Sequence, residues 1–222
     1  MTITLSQNEI RAEAEKAFRG VGIDWGMAKD GGVIAAWMAA HDLPFLGTLN
    51  RCLEGLDGED DAPTEDRPDC PAPDCAAPDC PAPDCTAPFE AIARAEYIAA
   101  LKTPWSGHVL MPRFLLAGLG IVAQEQGQTF TLMIDEKICA VADQGQVWIT
   151  PDGIGGGIAW VDILPDAETN DDLVLCPWSD QIAHQASAAC WQKLGQYASR
   201  TYVPETEEKR AAGAGAGDID NN

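Results

Sequence analysis

The sequence predicts an α+β fold on three observations. Apolar residues recur at helical spacing over roughly the first fifty positions. Short β-branched runs separated by turn residues follow further along. An acidic, proline-rich stretch divides the two. The expected order is an N-terminal three-helix unit (1–54), a disordered Pro/Cys-rich acidic insert (55–88), an α+β core of helices packed on a small, mainly antiparallel sheet (89–204), and a Gly-rich tail (205–222).

The first helix has the most complete local signal. Ser6 and Glu9 form an S-x-x-E capping box, and Leu5 and Ile10 stand at the positions of a hydrophobic staple. Ile10, Ala14, Ala17 and Phe18 continue at helical spacing until Gly20. Asp24 is the expected cap of a second helix from Trp25 to about His41, whose small residues allow close approach of a neighbour. Pro44 is placed in the first turn of a third, carrying Leu46, Leu49 and Leu53.

Residues 54–88 hold eight of the 15 prolines, and Glu54 to Glu90 carry twelve acids against Arg67 alone. Such a composition buries too little apolar surface to offset the entropy of ordering. Beyond it, "FEAIARAEYIAAL" predicts a helix with Phe89, Ile92, Ala93 and Ile98 near one face, and "GHVLMP" a strand. Pro112 opens a helix to about Gln126. "QTFTLMID", "KICAVAD", "QVWIT", "IAWVDI" and "LVLCPW" predict strands in an antiparallel meander, and a last helix is expected from about Gln181 to Arg200.

A net charge of −21 argues against nucleic acid and anionic membranes as partners. The longest apolar runs fall short of the ~18–20 residues a membrane-spanning helix needs, and no signal-peptide pattern opens the chain. A cytoplasmic protein is the expectation, with most of its eight cysteines as thiols or ligands. Partner classes left open are a small molecule, a protein and a second copy of the chain.

The repeat "PDCPAPDCAAPDCPAPDC" sets Cys70, Cys75, Cys80 and Cys85 five apart. Four thiolates can close a tetrahedral metal site. C-x4-C spacing with stiff prolines is nonetheless unlike the tight C-x2-C turns that aim two sulfurs at one ion. A low-complexity insert without chemistry fits the faithful repetition better; a metal or redox tract and disulfide pairing stand as alternatives. A metal ion here is the single cofactor the residues suggest.

Elsewhere, Cys176, Asp180 and His184 are four apart, but Pro177 interrupts them, leaving an Asp near a helix start and a surface His. His41 completes the dipole at a helix end, and nothing selects His108. Cys139 and Cys190 are expected as small buried hydrophobes. No G-x-S-x-G, H-E-x-x-H or P-loop occurs, and "GIGGG" precedes a strand rather than a helix. In the tail, the N–H groups around Gly213, Gly215 and Gly217 can cradle an anion, assisted by Lys209 and Arg210.

Two segments carry a resemblance. Leu5, Ser6, Asn8 and Glu9, then Gly20, Gly22, Trp25, Gly26 and Ala28, together with Tyr202, Val203, Pro204, Arg210 and Gly213 to Asp220, resemble a bacterial family of uncharacterised proteins, domain of unknown function 3726. Lys209 stands where that family's tail usually has Ser, and the cysteine repeat is foreign to its pattern. The resemblance implies a family fold without an assigned activity, and a tail that packs back onto the protein. From it follows an expected site between the Gly20–Ala28 turn and the tail. Asp24, Asp218 and Asp220 are its candidate acid/base groups, and Trp25, Tyr202, Arg210, Gly213, Gly215 and Gly217 its ligand-binding residues. The function so outlined is small-molecule metabolism, as an enzyme or accessory subunit binding an anionic metabolite. The alternatives are a non-catalytic ligand-binding or scaffold protein, and a metal or redox buffer working through the repeat.

Overall fold

The computed structural model describes residues 1–57, 88–150, 154–155, 158–166, 171–178 and 184–202. The chain opens with β1 (Thr2–Leu5), α1 (Gln7–Gly20), α2 (Trp25–Ala40) and α3 (Leu46–Asp57). A single 3-10 turn (Pro88–Glu90) leads into α4 (Ala91–Leu101), β2 (Trp105–Leu110) and α5 (Pro112–Gln126). Then come β3 (Thr129–Ile134), β4 (Lys137–Asp143), β5 (Gln146–Ile149), β6 (Ile158–Leu164), β7 (Val174–Cys176), β8 (His184–Ser187) and α6 (Ala188–Ser199). The α+β expectation is met.

The capping box forms as the sequence implies. The Ser6 hydroxyl accepts from the Glu9 N–H at 3.2 Å, and the Glu9 carboxylate accepts from the Ser6 N–H at 2.7 Å. That second bond, above all, holds the Glu9 carboxyl below the usual carboxylate range. Leu5 and Ile10 are both buried, as a staple requires. Asp24 is the N-cap residue of α2, although its side chain makes no cap hydrogen bond. Pro44 lies ahead of α3 rather than in its first turn, and its carbonyl accepts from the Thr48 hydroxyl at 3.0 Å.

Six strands form one sheet in the order β2-β6-β3-β4-β5-β7, with every pair antiparallel. The expected meander holds only for β3-β4-β5. β6 returns to the far side of β3 and pairs with it from Thr131↔Leu164 to Ile134↔Val161, so that β2 closes that edge. Alternation decides which face is buried. Phe130, Leu132, Ala140, Ala142, Val147, Val161 and Ile163 all point inward and are nearly inaccessible to solvent. α5 lies across them with apolar side chains all round, since α2 and α4 cover its other side. Gly120 permits that approach: a Cβ there would stand 2.2 Å from the Trp37 ring of α2.

The region before α6 departs from expectation in two ways. Residues 184–187 form β8 instead of belonging to the last helix, which begins at Ala188. β8 pairs with β1, a strand the sequence pattern does not announce, from Thr2↔Ser187 to Leu5↔His184. Once it is in that strand, His184 is 7% exposed and no surface histidine. On α4 the buried positions are Ala91, Ala95, Ile98 and Ala99, preceded by buried Phe89. Ala93 faces solvent and Ile92 is half-buried, because the helix turns its alanine stripe toward α5.

Candidate functional site

α1 is the helix on which the described parts of the expected site gather. Lys16 and Arg19 are one turn apart and so project side by side. The Arg19 guanidinium sits 3.9 Å from the ring centroid of Trp25, the first residue of α2. The Lys16 ammonium donates to the Tyr202 hydroxyl at 3.1 Å and lies 5.5 Å from that ring's centroid. The hydroxyl, more than the Glu13 carboxylate at 3.7 Å, holds Lys16 above its usual pKa. Thus Trp25 of the Gly20–Ala28 turn and Tyr202, where the tail departs, rest on successive cations of one helix.

Backbone contact ties the same place to α6. A Cβ on Gly20 would stand 2.0 Å from the Tyr197 carbonyl oxygen, so α1 and α6 meet main chain to main chain. One turn on, the Arg200 guanidinium grips the Asp57 carboxylate with both nitrogens, Nη2 to Oδ2 at 2.9 Å. That fork holds the Asp57 carboxyl below the usual range. Lys193 and Glu54 form a second ion pair between α6 and α3. The chain therefore enters 58–87 and 203–222 from neighbouring points at the end of α6. Phe89, just past the first of these segments, packs edge-on against Phe18 of α1 with centroids 5.9 Å apart.

Of the expected site residues, the structure brings Trp25 and Tyr202 to the same helix and leaves Asp24 exposed beside them at the head of α2. Arg210, Gly213, Gly215, Gly217, Asp218 and Asp220 lie outside the described residues, as do Cys70, Cys75, Cys80 and Cys85. Among the described residues, no three His, Cys, Asp or Glu side chains are grouped to hold a metal ion. Cys139 and Cys190 are half-buried rather than buried. Burial, as the leading cause, raises the thiol pKa of Cys139 and of Cys176 and so favours the unreactive thiol form.

Ser106, His108 and Asp162 share the outer face of the sheet, residue types that elsewhere make a nucleophile relay. Here the Ser106 hydroxyl donates to Asp162 at 2.5 Å, and the His108 ring packs edge-on against Trp160 at 5.0 Å. A serine that gives its proton to the carboxylate has no base activating it, so the arrangement is a cross-strand contact.

A groove that the sequence did not announce lies at the other end of the α1–α2 pair. It encloses about 190 Å³ and is lined by Gln7, Asn8 and Arg11 of α1, Val33, Ala36 and Trp37 of α2, and Trp178. Behind it three rings stack: Trp37 on His41 with centroids 3.9 Å apart, and His41 edge-on to Trp178 at 5.0 Å. His41 is 1% exposed and Trp37 6%. His41 Nδ1 lies 3.0 Å from the Trp37 carbonyl, while Trp37 Nε1 is buried with no hydrogen-bond partner among the described residues. Leaving such a group unmatched costs about 1–3 kcal/mol. Burial is the main influence on His41 and depresses its pKa, against the opposing Trp37 and Gly145 carbonyls. The one local signal was Trp37-x-x-x-His41, four apart on one helix face.

No helix among the described residues is long and apolar enough to cross a membrane. Comparison with curated proteins returned no match, and neither did comparison with solved structures. Residues 5–72 match the model of a family described as protein of unknown function (DUF3726), so the family resemblance holds over the stretch that contains α1, α2 and α3.

Proposed function

We propose that this protein binds a small anionic metabolite at the C-terminal end of α1, between the Gly20–Ala28 turn and the glycine-rich tail. The observation behind the reading is the paired contact of Arg19 with Trp25 and of Lys16 with Tyr202. In this reading the two cations supply the charge and the two rings supply apolar walls. The tail's contribution, by its sequence, is the Arg210 guanidinium and the N–H groups around Gly213, Gly215 and Gly217, which suit an anion. A carboxylate near such a ligand can move protons, and Asp24, Asp218 and Asp220 are the groups positioned by sequence for that task. The 65% exposure of Trp25 and 59% exposure of Tyr202 favour binding without chemistry, because an open face does not exclude water.

The test is calorimetric titration of citrate and of inorganic phosphate into three proteins: the full chain, the Lys16→Gln/Arg19→Gln variant, and a chain ended at Glu208. Affinity is expected to fall about tenfold or more in the double variant, the scale for losing charge-assisted hydrogen bonds. Truncation is expected to weaken it further. Equal heats from all three proteins, or none from any, would sink the proposal.

A further inference from the structure

The groove between the first turns of α1 and the last turns of α2 is a second place where chemistry is concentrated, and its case is independent of the proposal above. Arg11 and Arg19 are eight residues apart on α1, about 12 Å along the axis, so the two sites are separate. We infer that this groove binds a small planar aromatic carboxylate, with Arg11 taking the carboxylate and Trp178 and Trp37 flanking the ring.

Size limits the occupant first. The groove is small and open to solvent, with a volume of about 190 Å³, which suits a single ring with its carboxylate. Charge selects its sign. In a chain of net charge −21, the charged residue among the described ones that line this groove is a cation, and Arg11 makes no ion pair with any described residue. The planar guanidinium fork matches a carboxylate in two hydrogen bonds, and the Gln7 and Asn8 amides on the same wall can donate further ones. The walls select an aromatic body. Trp178 is 47% exposed and Trp37 continues into the stacked His41, so a ring entering the groove meets indole surface.

Nitrogen-15 labelling makes the test direct, since each of the seven indoles has its own N–H signal. The Trp37 and Trp178 signals are identified with Trp37→Phe and Trp178→Phe. Benzoate is titrated into the full chain to about 20 mM, with cyclohexanecarboxylate and inorganic phosphate as comparisons. Saturable shifts confined to the Trp37 and Trp178 signals are expected, weaker with cyclohexanecarboxylate and absent with phosphate. Arg11→Gln is expected to raise the benzoate Kd about tenfold while leaving the thermal midpoint unchanged. Each of these results would overturn the inference: no saturable shift at either indole, the same Kd in Arg11→Gln, or shifts spread over all seven signals. Equal response to phosphate would remove the aromatic part and with it the proposal.

Discussion

Replacing Gly20 by alanine tests the junction on which the α1 site is built. The added Cβ would stand 2.0 Å from the Tyr197 carbonyl oxygen and 2.8 Å from its carbon, where real Cβ contacts essentially never fall below 3.0 Å. The obstacle is backbone, so no side chain can swing aside. α1 and α6 must separate by about an ångström, and the contacts around Tyr197 and Ala198, both buried, loosen with them. Overpacking of this kind costs typically 1–3 kcal/mol, and a backbone obstacle belongs at the upper part of that range, about 2–3 kcal/mol. At ~2–4 °C per kcal/mol for a chain of this size, the thermal midpoint should fall by roughly 5–10 °C. Urea titration followed by circular dichroism measures the free energy, and an unchanged m-value would show that the midpoint shift reports stability alone. Because Arg200 and Tyr202 follow directly on α6, the Tyr202 ring resonances should also shift. A Gly20→Ala protein within about 0.5 kcal/mol of the parent, the range of an ordinary surface substitution, would refute the main-chain contact between the helices, and with it the placement of the turn beside the end of α6.

Gly26, in the first turn of α2, has no atom within 4 Å of where an added Cβ would stand, so Gly26→Ala should be neutral to stabilising by about 0.5–1 kcal/mol in the same urea titration. Ser6→Ala removes the N-cap of α1 and should cost about 1 kcal/mol by thermal or chemical unfolding. Phe18 is fully buried and packed edge-on against Phe89, so Phe18→Ala should cost about 3–5 kcal/mol, enough to show as loss of cooperative unfolding. His41 is held neutral by burial, its folded pKa lying below the ordinary 6.5. The unfolded chain therefore binds the extra proton first. Its contribution to stability is fully present above about pH 6.5 and is lost as pH falls from there toward the folded value. Unfolding free energies measured from mildly acidic to neutral pH should slope upward with pH, and His41→Phe should flatten that slope; an unchanged slope would contradict the assignment.

What the sequence made legible was mostly local chemistry. The start of α1 follows from Ser6 and Glu9, and the start of α5 from Pro112, because capping acts within one turn. The strands from 129 to 149 follow from alternation between short turns. What was not legible depends on contacts between distant residues. β1 has four residues and no partner nearer than 184–187, so its pairing leaves no local trace, and with that partner hidden His184 read as part of a surface helix. β6 returns to β3 because the inward faces of Phe130, Leu132, Val161 and Ile163 complete one core, a choice made by packing rather than by loop length. At the site, Trp25 and Tyr202 were nominated by resemblance. Lys16 and Arg19 drew no reading from the sequence, because the rings beside them come from other elements of the fold. The groove was hidden for the same reason, since Trp37 and Trp178 meet only in the fold.

The central claim is that one ligand face joins the Gly20–Ala28 turn to the tail on the cations of α1. Its most direct test is a citrate titration of nitrogen-15-labelled protein, with the full chain set beside one ended at Glu208. Saturable shifts are expected at the Trp25 indole and the Arg19 side chain, along with the Tyr202 amide, at lower citrate concentration in the full chain than in the shortened one. A Trp25 signal that does not move, or moves identically in both chains, would contradict the claim.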